Sequence, residues 1–330
     1  MLVITKATLA MMIGFILAAI TGFILIPILK KLHFGQNVSL KITERHLKKQ
    51  GTPTIGGLIF IIPTLITLLF LYLRGSIEYS SNLLILLFVF LSYALLGFLD
   101  DYKKIKEKNN AGLKISTKLI FQVAIALVFY FIFMKNGGSS DLVITSLNIN
   151  IPLGPFYGLL ILFLLVGTTN AINITDGLDG LAGGLSAIAF FAFALIAWNT
   201  KWMEGNMELA IFCFVIIGSL LGFLLFNSHP AKVFMGDTGA LALGGAMATV
   251  AILTRHELSL ALIGGVFVIE TLSSLIQIIA IRKFHRKVFK MAPLHHHFEK
   301  MGWSETDIVK TFWTAGLLMS MAAIIYGVWL

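Results

Sequence analysis

The stretch "ALLGFLDDYKK" (residues 94–104) decides how this chain is read. Apolar residues run up to Leu99, two carboxylates follow side by side at Asp100 and Asp101, and Lys103 and Lys104 come directly behind. The apolar run begins near residue 83. A helix of about 20 apolar residues crosses the hydrocarbon core of a bilayer. The sequence therefore places an acidic pair at the lip of a membrane segment. A helix C-terminus disfavours anions, and adjacent carboxylates repel each other, so helix capping does not account for the pair.

The rest of the chain repeats the pattern. Of 330 residues, 58% are hydrophobic and 12% charged, against about 25% charged in a soluble domain. Ten apolar segments are predicted, at 8–29, 54–73, 83–99, 116–134, 154–172, 181–198, 208–226, 238–254, 259–281 and 308–330. The first has no basic start and no small-residue cleavage site, so it reads as a retained span. The expectation is an all-α integral membrane protein, one polytopic domain over 1–330, with a short strand or hairpin in the loop 135–153, where "LNINIP" alternates apolar and polar residues.

Charge sets the orientation. Of the 25 basic residues, 20 fall on one side of the ten spans and 5 on the other. The positive-inside rule puts the first side in the cytoplasm and both termini outside. The formal net charge of +9 is concentrated on that inner face, where it suits anionic lipid and an anionic substrate. Cys213 is the only cysteine, which rules out a disulfide or thiolate metal site within one chain. No clear internal repeat is present, which disfavours common transporter designs.

Five inner loops carry nearly all the chemistry: "HLKKQGTPTIGG" (46–57), the opening stretch, "TNAINITDGLDGLAGG" (169–184), "FNSHPAKVFMGDTG" (226–239) and "FKMAPLHHHFEKMGW" (289–303). Their convergence predicts one pocket. Asp176 or Asp237 can cap the span that follows it. Hard oxygen donors point to Mg²⁺ or Mn²⁺ rather than Zn²⁺, with Lys49, Lys104 and Lys118 placed to neutralise phosphate, the equipment of phosphoryl transfer. Asn173, Asp176 and Asp179 suit a nucleoside, the backbone at Gly177 allows close approach, and Phe234 offers a stacking face or a membrane anchor. His295, His296 and His297 are consecutive and cannot all ligate one ion on a helix. Glu270 lies within a span with Gln277 on the same face, read as a structural hydrogen bond between helices. Sequons at Asn37 and Asn173 face the cytoplasm and are discounted.

"KQGTPTIGG", "GFLDDYKK", "NAINITDGLDGLAGG", "FNSHPAKVFMGDTG" and "MAPLHHHFEKMGW", in this order over almost the whole chain, resemble the bacterial phospho-N-acetylmuramoyl-pentapeptide-transferase family, within the wider polyprenyl-phosphate sugar-phosphate transferases. The resemblance implies transfer of phospho-N-acetylmuramoyl-pentapeptide from UDP-N-acetylmuramoyl-pentapeptide to undecaprenyl phosphate. The products are lipid I and UMP, with Mg²⁺, in peptidoglycan synthesis at the bacterial inner membrane. It implies essential carboxylates at Asp100, Asp101 and Asp237 and an essential His295. Asp237 is the leading metal ligand, supported by Asp101. Lys49, Asn173, Asp176, Asp179 and Phe234 resemble uridine-pocket residues, and Lys104, Lys118 and Asn227 polar groups near the phosphates; beside them, the residues themselves offer Gly177 to the nucleoside and one or two histidines, His296 among them, to a pyrophosphate. Nucleic acid is not an expected partner; membrane lipid is, and a homodimer is an open expectation. The rival readings are a polyprenyl-phosphate N-acetylglucosamine-1-phosphate transferase and, from another class, a transporter of nucleotide sugars or lipid phosphates.

Overall fold

The computed structural model describes residues 3–32, 34, 51–107, 111–144, 147, 149–198 and 206–326. Twelve helices and one hairpin follow in chain order: α1 (Val3–Lys31), α2 (Leu58–Leu73), α3 (Ser81–Lys106), α4 (Ile115–Lys135), β1 (Asp141–Ile144), β2 (Ile149–Pro152), α5 (Phe156–Thr175), α6 (Leu181–Trp198), α7 (Met207–Asn227), α8 (Gly236–Leu253), α9 (Glu257–Ile263), α10 (Gly265–Phe284), α11 (Leu294–Lys300) and α12 (Glu305–Ile324). Nine of these are long and apolar enough to cross a membrane, and α2 adds a tenth apolar helix of 16 residues. Each of the ten expected segments thus holds helix among the described residues, and the fold is that of an all-α integral membrane protein. The expected hairpin is present, with β1 and β2 antiparallel and Asp141 opposite Pro152.

Two boundaries differ from the sequence reading. α3 continues past Leu99 to Lys106, because charged residues end an apolar run without ending a helix. The expected span 259–281 is broken: α9 stops at Ile263, Gly264 intervenes, and α10 begins at Gly265.

α8 is the axis of the bundle. Its apolar window is 94% buried, against 22% for α4, so α8 is surrounded by protein while α4 presents most of its surface to lipid. Small residues make this feasible: "GALALGGAMA" (residues 239–248) gives α8 a slim profile that neighbouring helices approach closely. α3 and α5 pack on α8, α7 packs between α1 and α6, and α12 lies against α6.

The alternation of spans puts the C-terminal ends of α3, α5 and α7 and the N-terminal ends of α4, α6, α8 and α12 at one end of the bundle. The opposite end is tied by Lys6 donating to the Ser76 carbonyl (3.1 Å) and by Arg255 donating to the Ser139 carbonyl (2.6 Å) and the Asp141 carbonyl. There Tyr157 also donates to the buried Glu257, whose carboxyl burial pushes above its usual range. The residues singled out from the sequence lie at the first end.

Candidate active site

The site is built where α3 meets the start of α8. Gly97 makes that approach feasible: a Cβ there would stand 2.1 Å from the Asp237 carbonyl oxygen. One turn further on, Asp101 reaches across. Its Oδ1 accepts from the Asp237 N–H (3.1 Å), and its Oδ2 accepts from the Thr238 N–H (2.9 Å) and the Thr238 hydroxyl (2.7 Å). Asp101 therefore caps α8, placing its negative charge at the positive end of that helix. This corrects the expectation that capping plays no part in the acidic pair: the capped helix is simply not its own.

Asp237, fixed this way in the first turn of α8, gathers cations and donors. Lys118 Nζ, from the first turn of α4, stands 2.5 Å from its Oδ2. Asn173 Nδ2, from the last turn of α5, donates to its Oδ1 at 2.8 Å. Lys104 Nζ lies 3.1 Å from the same Oδ1, 2.6 Å from Asp100 Oδ2 and 3.8 Å from Asp101 Oδ1. Asp100 also accepts the Leu113 N–H at 2.8 Å. All three aspartates are buried, and one oxygen from each lies within 4.8 Å of the others. The cluster borders a cavity of about 420 Å³ lined by the polar residues Asp100, Lys104, Lys118, Gln122, Asn170, Asn173 and Asp237 and by the apolar residues Ala111, Leu113, Ile115 and Leu119.

Three carboxylates against two ammonium groups leave net negative charge in a buried setting, and every donor is a hard oxygen. That set fits a divalent cation of the Mg²⁺ type. Within it, the Asp101 oxygens are committed to α8, whereas Asp100 and Asp237 face the cavity.

The remaining expected residues do not join this cavity. The turn after α5 distributes them. Asp176 ends α5 as its C-cap and is half-buried. Gly177 lies against His295: a Cβ would stand 2.4 Å from Nε2. His295 is buried, with Nδ1 2.7 Å from Glu270 Oε2 and its N–H donating to Glu270 Oε1 at 3.0 Å, while Nε2 has no hydrogen-bond partner. The Glu270 hydrogen bond expected between helices thus runs to His295. His296 pairs with Glu299 (2.6 Å), and His297 accepts the Lys290 N–H (3.0 Å), so the three histidines diverge. Gln277 holds the Val288 and Phe289 backbone.

Asp179 belongs to a third cluster. Its Oδ2 meets His229 Nδ1 and the Ala231 N–H, each at 3.0 Å, and its N–H donates to Glu305 Oε1 at 2.7 Å. Asn227 uses its amide on the backbone, accepting from Gly180 (3.1 Å) and donating to Val233 (2.9 Å). Phe234 is partly exposed and pairs through its backbone with Pro53 and Gly56. Lys49 lies outside the described residues. The single pocket expected from the sequence is therefore one cleft and two adjoining clusters at the same end, linked through residues 173–180.

Sequence reasoning missed Gln122 and Asn170 on the cleft wall, Thr238 beside Asp101, and His229 and Glu305 around Asp179. A lone Gln in "IFQVAIALVF" was the available signal for the first.

A bundle of membrane-length helices that gathers carboxylates, lysines and amides at the lip of its spans has the character of a membrane-embedded phosphoryl-transfer enzyme. A family model described as "Glycosyl transferase family 4" matches residues 83–255, the segment that carries every residue of the cleft. A phospho-N-acetylmuramoyl-pentapeptide-transferase from Geobacillus sp. (strain WCH70) is 50% identical over 322 residues, 98% of each chain. Relatives of the same name from Bacillus subtilis (strain 168) and Halalkalibacterium halodurans are 49% identical over 97% and 48% identical over 98% of each chain. The chain belongs to the phospho-N-acetylmuramoyl-pentapeptide-transferase family, and it is an enzyme.

Proposed function

We propose that the chain transfers phospho-N-acetylmuramoyl-pentapeptide from UDP-N-acetylmuramoyl-pentapeptide to undecaprenyl phosphate, releasing UMP and forming lipid I. The observation that carries this reading is the cleft in which Asp100, Asp237, Lys104 and Lys118 meet at the lip of the membrane helices, in a chain half identical to transferases of that name. The excess of basic residues on that side supports a cytoplasmic site at the bacterial inner membrane. A lipid phosphate held at headgroup level and a water-soluble nucleotide sugar can meet only at such a boundary.

In the reaction an oxygen of the lipid phosphate attacks the sugar-bearing phosphorus of the donor, and the bond to UMP breaks. One phosphoanhydride replaces another, so the step is near equilibrium and needs no ATP. A phosphate monoester has its second pKa near about 6 and arrives mostly as a dianion, so a strong general base is not required. Asp100 orients the lipid phosphate and takes any residual proton. Lys104 and Lys118 neutralise phosphate charge, positioning and neutralisation being the main work in this chemistry. Asp237 and Asp100 would hold Mg²⁺, which when bound stabilises charge on the diphosphate and on departing UMP. Asp101 acts through α8 by fixing Asp237. Asp176, Gly177, Asp179 and Phe234 remain candidates for the nucleoside, next to His295.

The test is product formation by purified protein with undecaprenyl phosphate and labelled donor. UMP and a labelled lipid are expected from UDP-N-acetylmuramoyl-pentapeptide and not from UDP-N-acetylglucosamine. The converse preference would favour the related transferase, and uptake into vesicles without UMP release would favour a transporter.

A further inference from the structure

Among the described residues, the cleft wall contains one buried side chain whose hydrogen bonding is incomplete. Gln122 lines the cavity, is 1% exposed, and its Nε2 has no acceptor. Its Oε1 is held: Asn170 Nδ2 donates to it at 3.0 Å and also donates to the Val166 carbonyl at 2.7 Å. Asn170 thus fixes which end of the Gln122 amide is oxygen and leaves the nitrogen as the unsatisfied end. A buried amide donor without an acceptor is costly and uncommon. Beside a cavity, it is the kind of group a ligand satisfies.

Position narrows the ligand. α4 contributes Ile115, Lys118, Leu119 and Gln122 to the cavity, a spacing of three, one and three residues that defines a single helix face. Ile115 is 88% exposed, and Leu119 is also exposed. Gln122 lies one turn beyond Lys118, roughly 6 Å further into the bundle. A ligand along this face meets an ammonium, an amide N–H and an apolar border. That combination fits an anionic oxygen carried on a hydrocarbon chain. A nucleotide sugar brings no hydrocarbon chain to lie against Ile115 and Leu119.

We propose that Gln122 donates its Nε2–H to an oxygen of the acceptor lipid's phosphate, with Asn170 as the positioning residue that orients the amide. The inference rests on the transferase reading above and adds the residue that selects the acceptor.

Steady-state kinetics of lipid-product formation, varying acceptor and donor separately, test it. Gln122→Leu is expected to raise KM for undecaprenyl phosphate roughly ten- to hundredfold, the range of a hydrogen bond to a charged group. The donor KM stays within about twofold. Gln122→Glu keeps the shape and the Asn170 contact but faces the phosphate with an anion. It is expected to weaken the acceptor further while UMP still shifts the protein's melting temperature as in wild type. That second variant keeps the test decisive if Gln122→Leu fails to fold. An unchanged acceptor KM in both variants, or acceptor and donor KM rising together, overturns the inference. A wild-type protein that forms no lipid product instead overturns the transferase reading itself, so the two failures are distinguishable.

Discussion

Replacing Asp101 with Asn separates two roles that a carboxylate beside Asp237 can have. Asp101 accepts three hydrogen bonds from the start of α8 at 3.1, 2.9 and 2.7 Å. In Asp101→Asn the amide oxygen can keep the Thr238 contacts, but the new NH₂ then faces the Asp237 N–H, donor against donor. One backbone hydrogen bond is lost, worth about 1 kcal/mol. The anion at the helix N-terminus is lost too, worth up to about 1 kcal/mol or somewhat more when buried. The expected destabilisation is about 2 kcal/mol, seen as a fall of several degrees in melting temperature in detergent. Mn²⁺ affinity, followed by electron paramagnetic resonance of the substrate-free protein, should stay within about threefold of wild type, whereas Asp237→Asn should lose it by more than tenfold. Activity should fall, because Asp237 is no longer held. If Asp101→Asn loses Mn²⁺ as completely as Asp237→Asn and melts like wild type, Asp101 is a ligand and the capping argument fails.

Three further outcomes follow from close contacts and buried pairs. Gly97→Ala puts a methyl 2.1 Å from the Asp237 carbonyl oxygen, so α8 must shift from α3; a loss of about 3 kcal/mol is expected, and wild-type thermal stability would contradict it. Gly177→Ala brings a methyl 2.4 Å from His295 Nε2, so the buried imidazole must shift against Glu270; turnover should fall and melting drop by a few degrees, and full activity would show that the His295 position does not matter. Glu305→Gln weakens the acceptor of the Asp179 N–H and should raise donor KM several-fold without moving acceptor KM; an effect on the acceptor alone would place Asp179 elsewhere in the reaction.

The transmembrane architecture was legible because lipid demands long apolar helices, and run length reports that directly. The break at Gly264 was not, since apolar residues continue on both sides of it. The extension of α3 to Lys106 was hidden for the opposite reason: hydropathy falls at Asp100 while the helix goes on. Within the site, Lys104 beside Asp100 is an i,i+4 pair and could be read locally. Asp101 as the cap of α8 could not, because cap and helix are 136 residues apart. Gln122 and Asn170 meet across two helices 48 residues apart, and each alone reads as a tolerated polar residue in a span. That the inner loops share one end of the bundle followed from charge. How they divide, with Asp179 turned to His229 and Glu305 and His295 turned to Glu270, depends on side-chain directions that no spacing rule encodes.

The account turns on a phosphosugar being moved at the Asp100–Asp237 cleft. The most direct measurement is the rate of labelled lipid formation from UDP-N-acetylmuramoyl-pentapeptide and undecaprenyl phosphate by purified wild type and Asp237→Asn, with Mg²⁺ and with chelator. Wild type with Mg²⁺ should form the lipid and release UMP in equal amounts, chelator should stop both, and Asp237→Asn should be slower by at least a thousandfold while UMP still binds. A variant that turns over at near wild-type rate, or wild type indifferent to chelator, would contradict it.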